Sequence, residues 1–343
     1  MSDILTENKE LLVLGIESSC DETAASVIKG CREVLSNVIY SQIDLHTVYG
    51  GVVPEIASRK HLERINDVIG RALKDAGAEA KDIDLIGVTY GPGLVGALLI
   101  GVAAAKAMAY ACDIPLVGVN HMHGHIAANY LEHHELEPPF MALIVSGGHT
   151  EIVNVPEYNR CEKIGGTRDD AAGEAFDKVA RVIGLGYPGG PKVDKAAREG
   201  KRDAIDFKRV WLEPGSYDFS FSGLKTQALN YLNTERQAGR EINVNDVAAS
   251  FQEAVVEVIA EKAVRAAEEY GQKRIVMAGG VASNTRLREL ISEKAAARDI
   301  EILRPSPVLC TDNGAMIASA AYYAYKAGER SGYDLDAFPA LEF

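Results

Sequence analysis

Residues 119–127 read VNHMHGHIA and place His121 and His125 four apart. On a helix two such positions share a face, with Cβ atoms about 5 to 6 Å apart, which suits two imidazoles on one divalent ion. His123, two residues from each, points to another face. Two histidines leave a transition metal short of its usual ligands, so a further one must come from elsewhere in the chain.

Other residues have the types that bind phosphate and sugar. Ser146-Gly147-Gly148-His149-Thr150 follows an apolar run, and its backbone amides can line a phosphate without steric obstruction. Gly279-Gly280-Val281-Ala282-Ser283-Asn284 precedes a helical pattern, where free amides and the helix dipole favour an anion or a purine edge. Neither turn matches GxxxxGK[ST] or GxGxxG, which disfavours both familiar mononucleotide motifs. Asp177 and Asp194 flank Gly189-Gly190-Pro191, and carboxylates so placed can accept hydrogen bonds from ribose hydroxyls. Lys225, within FSFSGLKT, offers a charge to an anion.

These groups need elements to hold them, and the chain supplies one set twice. Residues 11–28, LLVLGIESSCDETAASVI, read as an apolar strand, a tight polar loop ending at Thr23 and a second strand. Residues 140–155, FMALIVSGGHTEIVNV, have the same plan, with Thr150 where Thr23 stood. DLIGVTYGPGLVGALLIGVAAAKAMAYA and RIVMAGGVASNTRLRELISEKAAA both run from strand through a glycine turn into a helix. PLVGVNHMHGHIAANYL and EILRPSPVLCTDNGAMIASAAYYAY each pass from strand through loop to helix.

Three matched elements in one order predict two duplicated α/β lobes, 1–135 and 136–343, the second carrying an insertion at about 160–240. Lobes related by a pseudo-two-fold axis would face each other across a cleft and bring the His121–His125 segment to the segment starting at Asp312. Asp312 then supplies the third ligand; its ordinary alternative is to cap the helix begun by TDNGAMIA.

Bulk properties agree with this architecture. A chain of 343 residues suits two domains, and 47% hydrophobic residues suffice for two cores. Five cysteines (Cys20, Cys31, Cys112, Cys161, Cys310) show no CxxC and no disulfide-like spacing, which points to a reducing, cytoplasmic setting. The polar N-terminal stretch MSDILTENKE has no apolar core of a signal peptide. GLVGALLIGVAAAKAMAYAC approaches membrane-span length, but Lys106 and the abundance of Gly and Ala favour a helix buried in a soluble core, with no membrane partner.

The net charge of −13, from 49 acidic and 36 basic residues, excludes nucleic-acid binding by bulk attraction. A polyanionic partner would need a local basic patch or a helper protein. The best candidate is Lys192 to Arg209, where seven Lys/Arg outnumber four Asp/Glu; a solvated helix face is the alternative.

Taken together, IESSCDETAASV, YGGVVPEIASRKH, TYGPGLVGALLIG, NHMHGH, VSGGHTE, GEAFDKVAR, YPGGPKVD, FSFSGLKT, AGGVASN and CTDNGAMIA resemble the tRNA N6-adenosine threonylcarbamoyltransferases of the TsaD type, once labelled O-sialoglycoprotein endopeptidases. The resemblance runs from about Leu11 to about Tyr325. YGGVVPEIASR and Ile144 are similar to the bacterial and organellar branch.

The resemblance implies two RNase H-like lobes of the actin, sugar-kinase and Hsp70 class. It implies one divalent metal on His121, His125 and Asp312, Fe(2+) in some descriptions and Zn(2+) in others, with His123 outside the set. It also implies that Ile144, Val145, Ser146, Gly147 and Gly148 hold the phosphate and acyl end of a ligand. Asp177, Gly190, Asp194 and Asn284 would surround its ribose and adenine, beside the Gly279-Gly280 turn.

The activity so implied moves the threonylcarbamoyl group of threonylcarbamoyl-AMP to N6 of adenosine 37 in tRNAs that read codons starting with A. Asp21 and Glu22, on the first-lobe loop, are the candidates to accept the N6 proton. The resemblance further implies a TsaB-type paralogue and a TsaE-type ATPase as partners. Two rival functions are a metal-dependent glycoprotein endopeptidase and a nucleotide-binding scaffold with weak ATPase activity. The first wants H-E-x-x-H, and Met122-His123-Gly124 supplies no Glu. The second is separated by testing turnover on threonylcarbamoyl-AMP and tRNA.

Overall fold

A computed structural model describes residues 10–343, so all but Glu10 of the stretch MSDILTENKE lies outside the described residues. The chain forms two compact units. The first holds the residues through Gln42 together with Val52–Leu136 and Asp312–Phe343; the second holds Ile43–Gly51 and Glu137–Thr311.

In the first unit, strands β1 (Leu12–Glu17), β2 (Glu22–Lys29) and β3 (Glu33–Ser41) form an antiparallel meander. The short helix α1 (Ile43–Thr47), which belongs to the second unit, precedes α2 (Pro54–Asp75). Then β4 (Leu85–Gly91), α3 (Val95–Cys112), β5 (Leu116–Asn120) and α4 (His121–Glu132) follow. The sheet order is β3-β2-β1-β4-β5, with β4 and β5 parallel to β1.

The second unit repeats this plan. Strands β6 (Phe140–Val145), β7 (Thr150–Glu157) and β8 (Arg160–Gly166) form the meander. Helices α5 (Ala172–Val182), α6 (Gly189–Ala197), α7 (Ser222–Gln237) and α8 (Val244–Glu269) lead to β9 (Arg274–Ala278). Then come α9 (Thr285–Ala296), β10 (Glu301–Leu303) and α10 (Pro307–Cys310), before α11 (Gly314–Lys326) in the first unit. The order β10-β9-β6-β7-β8 mirrors the first sheet strand for strand.

Strand β1 is apolar up to its last residue, Glu17, because both of its faces are covered. Leu14 and Ile16 join Ile65, Val68 and Val102 of α2 and α3 in one core. On the other face α11 approaches so closely that a Cβ on Gly15 would stand 2.1 Å from the carbonyl oxygen of Gly314 and 2.4 Å from the amide of Ala318. Strand β6 has the corresponding place in the second unit: Met141, Leu143 and Val145 pack with Phe176, Val193, Phe251 and Ile259 of α5, α6 and α8.

Four expectations from sequence are modified. Each half opens on three antiparallel strands, not a hairpin alone; β3 and β8 are mostly half-exposed and carry register irregularities, which erases a clean alternation. The insertion therefore begins after Gly166, since residues 160–166 complete the sheet.

The division of the chain also differs from a single break at 135/136. Ile43–Gly51 joins the second unit, and Asp312–Phe343 joins the first because α11 packs on β1, β2, β4 and α4.

The helix α3 has the length and apolarity of a membrane span, yet only a third of it is buried. Its Ala97, Leu98, Gly101, Val102, Ala105 and Ala109 face inward, while Val95, Leu99 and Tyr110 are exposed, so burial is one-sided rather than complete.

Candidate functional site

The first residue of α4 is His121, and its start is set by Asn120, whose side-chain oxygen accepts from the Met122 amide at 2.8 Å. One turn on, His125 lies on the same face, with ring centroids 4.6 Å apart. Asp312 stands just before α11, which packs against α4. Its Oδ1 lies 3.5 Å from Nε2 of His121 and 3.3 Å from Nε2 of His125. One potential ligand atom from each of the three lies within 4.8 Å of the others.

This donor set suits a divalent metal. Among the described residues both ring nitrogens of His125 are buried and make no hydrogen bond, and an ion at Nε2, the nitrogen that faces Asp312, would satisfy one of them. His123 faces away, its ring 5.4 Å from that of Phe343, and burial alone lowers its pKa to about 4. All three candidate ligands belong to the first unit, which corrects the expectation that Asp312 reaches His121 from the other lobe. Asp312 precedes a helix whose apolar face is part of the first unit.

A buried carboxylate stands behind His121. Glu17, at the end of β1, is inaccessible to solvent, and its Oε2 lies 2.9 Å from Nδ1 of His121. The hydroxyl of Thr89 on β4 donates to the same oxygen at 2.6 Å, and the amide of Ser19 donates to Oε1. Burial drives the Glu17 carboxyl upward, but the charge and hydrogen bond of His121 outweigh it and hold the pKa below the ordinary value. Burial opposes the charge on His121; Glu17 and then Asp312 outweigh it and raise that pKa to about 9. Sequence reasoning missed Glu17, although an acidic residue closing the apolar run LLVLGI was a usable signal.

The turn after β1 carries Asp21, and Glu22 opens β2. Glu17 faces Ala24 across the hairpin, leaving six residues, 18–23; Val145 faces Thr150, leaving four, 146–149. The first unit's loop is thus longer by two residues, and Thr23 and Thr150 are not at the same register. Burial, followed by the negative charges of Asp21 and Asp312, raises the Glu22 carboxyl well above its usual range. Ser41 donates to Glu22 Oε1 at 2.9 Å.

In the second unit the glycine turns gather at the ends of adjacent parallel strands, with Ile144 of β6 opposite Ala278 of β9. Ile144 and Val145 are buried strand residues whose side chains belong to the core, so only their backbone can serve a ligand at this end. The turn closes through Ser146 N to His149 O at 2.8 Å. Cβ atoms built on Gly147, Gly148, Gly190 and Gly280 would meet nothing within 4 Å, whereas one on Gly279 would stand 2.4 Å from Val145 O. Gly279 also has φ 85°, a conformation that glycine adopts freely.

The polar candidates nearby already have protein partners. Asp177 Oδ1 accepts from the Gly189 amide at 2.6 Å. Asp194 accepts from the Thr285 amide and hydroxyl at 3.0 and 2.9 Å and from Arg198 at 2.8 Å. Asn284 caps α9 through Leu287 N and donates to Gln252. Lys225 pairs with Asp170 at 2.6 Å, so its charge is neutralised within the fold.

The basic run is also less available than its composition suggests. Arg198 pairs with Asp194, Arg202 with Glu289, Lys208 with Asp206 and Arg209 with Glu257. Lys195 and Lys201 are exposed and make no ion pair among the described residues.

Comparison with known proteins matches this arrangement. A family model described as "TsaD: tRNA N6-adenosine threonylcarbamoyltransferase" matches residues 33–319. A protein named tRNA N6-adenosine threonylcarbamoyltransferase from Clostridium perfringens (strain SM101 / Type A) is 58% identical over 334 residues, 97% of this chain and 98% of its own. One of the same name from Clostridioides difficile (strain 630) is 57% identical over 342 residues, covering 100% and 99%.

Among solved structures, full-length HypF in its phosphate- and nucleotide-bound form is similar with a TM-score of 0.63 at 17% identity, over 94% of this chain and 56% of that longer one. The Acidaminococcus fermentans (R)-2-hydroxyglutaryl-CoA dehydratase component A gives 0.54 at 16%, over 92% and 98%. At such identities the likeness concerns the fold alone, which is the actin, sugar-kinase and Hsp70 class.

Proposed function

Because the chain belongs to the family of tRNA N6-adenosine threonylcarbamoyltransferases, acyltransferases that act on tRNA, we propose that it moves the threonylcarbamoyl group of threonylcarbamoyl-AMP to N6 of adenosine 37 in tRNAs that read codons starting with A. The observation that carries this reading is the His121, His125 and Asp312 group, lying within the span of the family match. His121, His125 and Asp312 would hold one divalent ion, for which Fe(2+) is the proposal and Zn(2+) the alternative. When bound, such an ion supplies Lewis acidity toward a carbonyl or carboxylate oxygen.

An exocyclic adenine amine is a weak nucleophile because its lone pair is delocalised into the ring. Its attack on the carbamoyl carbonyl carbon forms the new C–N bond, the bond to phosphate oxygen breaks, and AMP leaves. The N6 proton must go to a base, and Asp21 and Glu22 are assigned that role. A carboxylate raised by burial beside another acid is a better base near neutral pH than an exposed one. The amides of Gly147 and Gly148 are assigned to the phosphate, that of Ser146 being engaged by His149 O, and the backbone at Gly190, Gly279 and Gly280 to the nucleoside. Asp177, Asp194 and Asn284 would act by shaping that site unless they exchange their present partners.

The net charge of −13 and the ion-paired basic run support a need for partner proteins to bring tRNA, proposed as a TsaB-type paralogue and a TsaE-type ATPase. Five free cysteines support a cytoplasmic place. The test is incubation of the purified chain with threonylcarbamoyl-AMP and tRNA, with and without partners, followed by mass spectrometry of tRNA nucleosides. Threonylcarbamoyladenosine is expected only with partners; its absence under every combination overturns the reading.

A further inference from the structure

The motif YGGVVPEIASRKH ends at a histidine that the functions assigned above leave unused. His61 lies on the buried stripe of α2, with Ala57, Ile65, Val68 and Ala72, and is inaccessible to solvent. A polar ring in such a stripe must be hydrogen-bonded, and both of its nitrogens are. Nε2 lies 2.8 Å from the carbonyl oxygen of Cys20, and Nδ1 lies 2.7 Å from the hydroxyl of Thr23. A carbonyl only accepts, so Nε2 donates; Nδ1 of the neutral ring then accepts from Thr23. The two partners bracket Asp21 and Glu22.

The remainder of this loop is held elsewhere. Ser18 donates to Ala97 O at 2.9 Å, the Leu94 amide donates to Ser19 O at 2.7 Å, and the Gln42 amide donates to Asp21 O at 3.0 Å. Against these, His61 contributes a side-chain bond on each side of the acidic pair. The four-residue loop of the second unit is tied differently: Thr150 Oγ1 accepts from the backbone amide of Ala172 at 2.9 Å. The histidine therefore accompanies the longer of the two loops, the one that carries the carboxylates.

We propose that His61 is a positioning residue for the transfer reaction, fixing the carboxylates of Asp21 and Glu22 by clamping Cys20 and Thr23. The inference rests on the assignment of the N6 proton to Asp21 or Glu22. It does not pass through the metal group or the glycine turns.

The clamp has two halves that substitution separates. In His61→Gln the amide nitrogen reaches toward the place of Nε2 and keeps the bond to Cys20. In His61→Asn the shorter side chain keeps only the Thr23 partner. His61→Leu keeps neither.

The experiment measures kcat, KM for threonylcarbamoyl-AMP and metal content in the full chain with its partners. His61→Leu should lower kcat by roughly 10²-fold, the scale of a small misplacement of catalytic groups, with KM and metal content unchanged. His61→Gln and His61→Asn, each keeping one half of the clamp, should fall between the Leu variant and the wild type.

A wild-type kcat in His61→Leu overturns the proposal, as does a wild-type kcat in both the Gln and Asn variants. Should the Leu variant fail to fold, the Gln and Asn pair still decides. Asp21→Asn and Glu22→Gln are measured in parallel. If both keep full kcat, the assignment of the base has failed and the inference falls with it. If either loses kcat while His61→Leu does not, only the inference is wrong.

Discussion

Oε2 of Glu17 lies 2.9 Å from Nδ1 of His121, while Nε2 of the same ring faces Asp312. A carboxylate only accepts, so Nδ1 carries the hydrogen and the ring's other nitrogen is directed at the candidate metal position. Such a partner orients the imidazole and raises its basicity. Glu17→Leu should therefore weaken metal affinity about 10- to 100-fold, and Glu17→Gln, which still accepts, should weaken it less. Chelator competition measures the effect, with the melting temperature of the metal-free chain as control. An unchanged affinity would reduce Glu17 to packing.

Asp312→Ala and His125→Ala should each release metal at chelator concentrations that the wild type withstands, because each removes one of three converging donors. His123→Ala should retain metal, since its ring lies 5.4 Å from that of Phe343 and outside the three converging donors. Elemental analysis of the purified variants checks both halves; equal metal in wild type and Asp312→Ala would remove the site.

The pKa of His121 is raised to about 9 by Glu17 and Asp312 against the opposing effect of burial. A group raised above its unfolded value stabilises the metal-free fold fully below that value, about 6.5, and loses this as pH rises through about 9. The melting temperature of the metal-free chain should thus decline between these limits, and His121→Gln should flatten the decline. Metal must displace the same proton, so apparent affinity should grow about tenfold per pH unit up to about 9. A pH-independent affinity over this range would contradict the assignment.

Gly147→Val and Gly280→Val should abolish or strongly weaken threonylcarbamoyl-AMP binding at little cost to stability, because the added side chain enters open space that the ligand is proposed to use. Gly279→Ala should instead lower the melting temperature, since its Cβ would stand 2.4 Å from a carbonyl oxygen in a left-handed backbone. Calorimetric titration and thermal melts distinguish the two outcomes. Wild-type affinity in both valine variants would exclude a ligand at these turns.

Charge reversal at Lys195 and Lys201 should weaken tRNA binding by the partner-assembled protein and reduce the salt slope by about one for each phosphate no longer neutralised, with affinity for the adenylate intact. Arg209→Glu is a poorer probe, because it breaks the 2.7 Å pair with Glu257 and should lower stability. A parallel fall in adenylate affinity in the lysine variants would mark the segment as structural.

The repeated plan was legible in the sequence because its signals are local. Strands covered on both faces, such as LVLGI and FMALIV, read as unbroken apolar runs, and polar or glycine turns end them at matching places. The pairing of His121 with His125 likewise follows from helical periodicity alone.

Three features were decided only by tertiary packing. Asp312 belongs with the first unit because α11 lies on β1 at the close approach between Gly15 and Gly314, which no local pattern encodes. Glu17 and His61 acquire their roles from partners 104 and 41 positions away. The basic run from Lys192 to Arg209 loses much of its free charge to Glu257 and Glu289 on α8 and α9. Periodicity and turn chemistry act over a few residues, whereas the partner of a buried ring or an ion pair is chosen when whole elements close against one another.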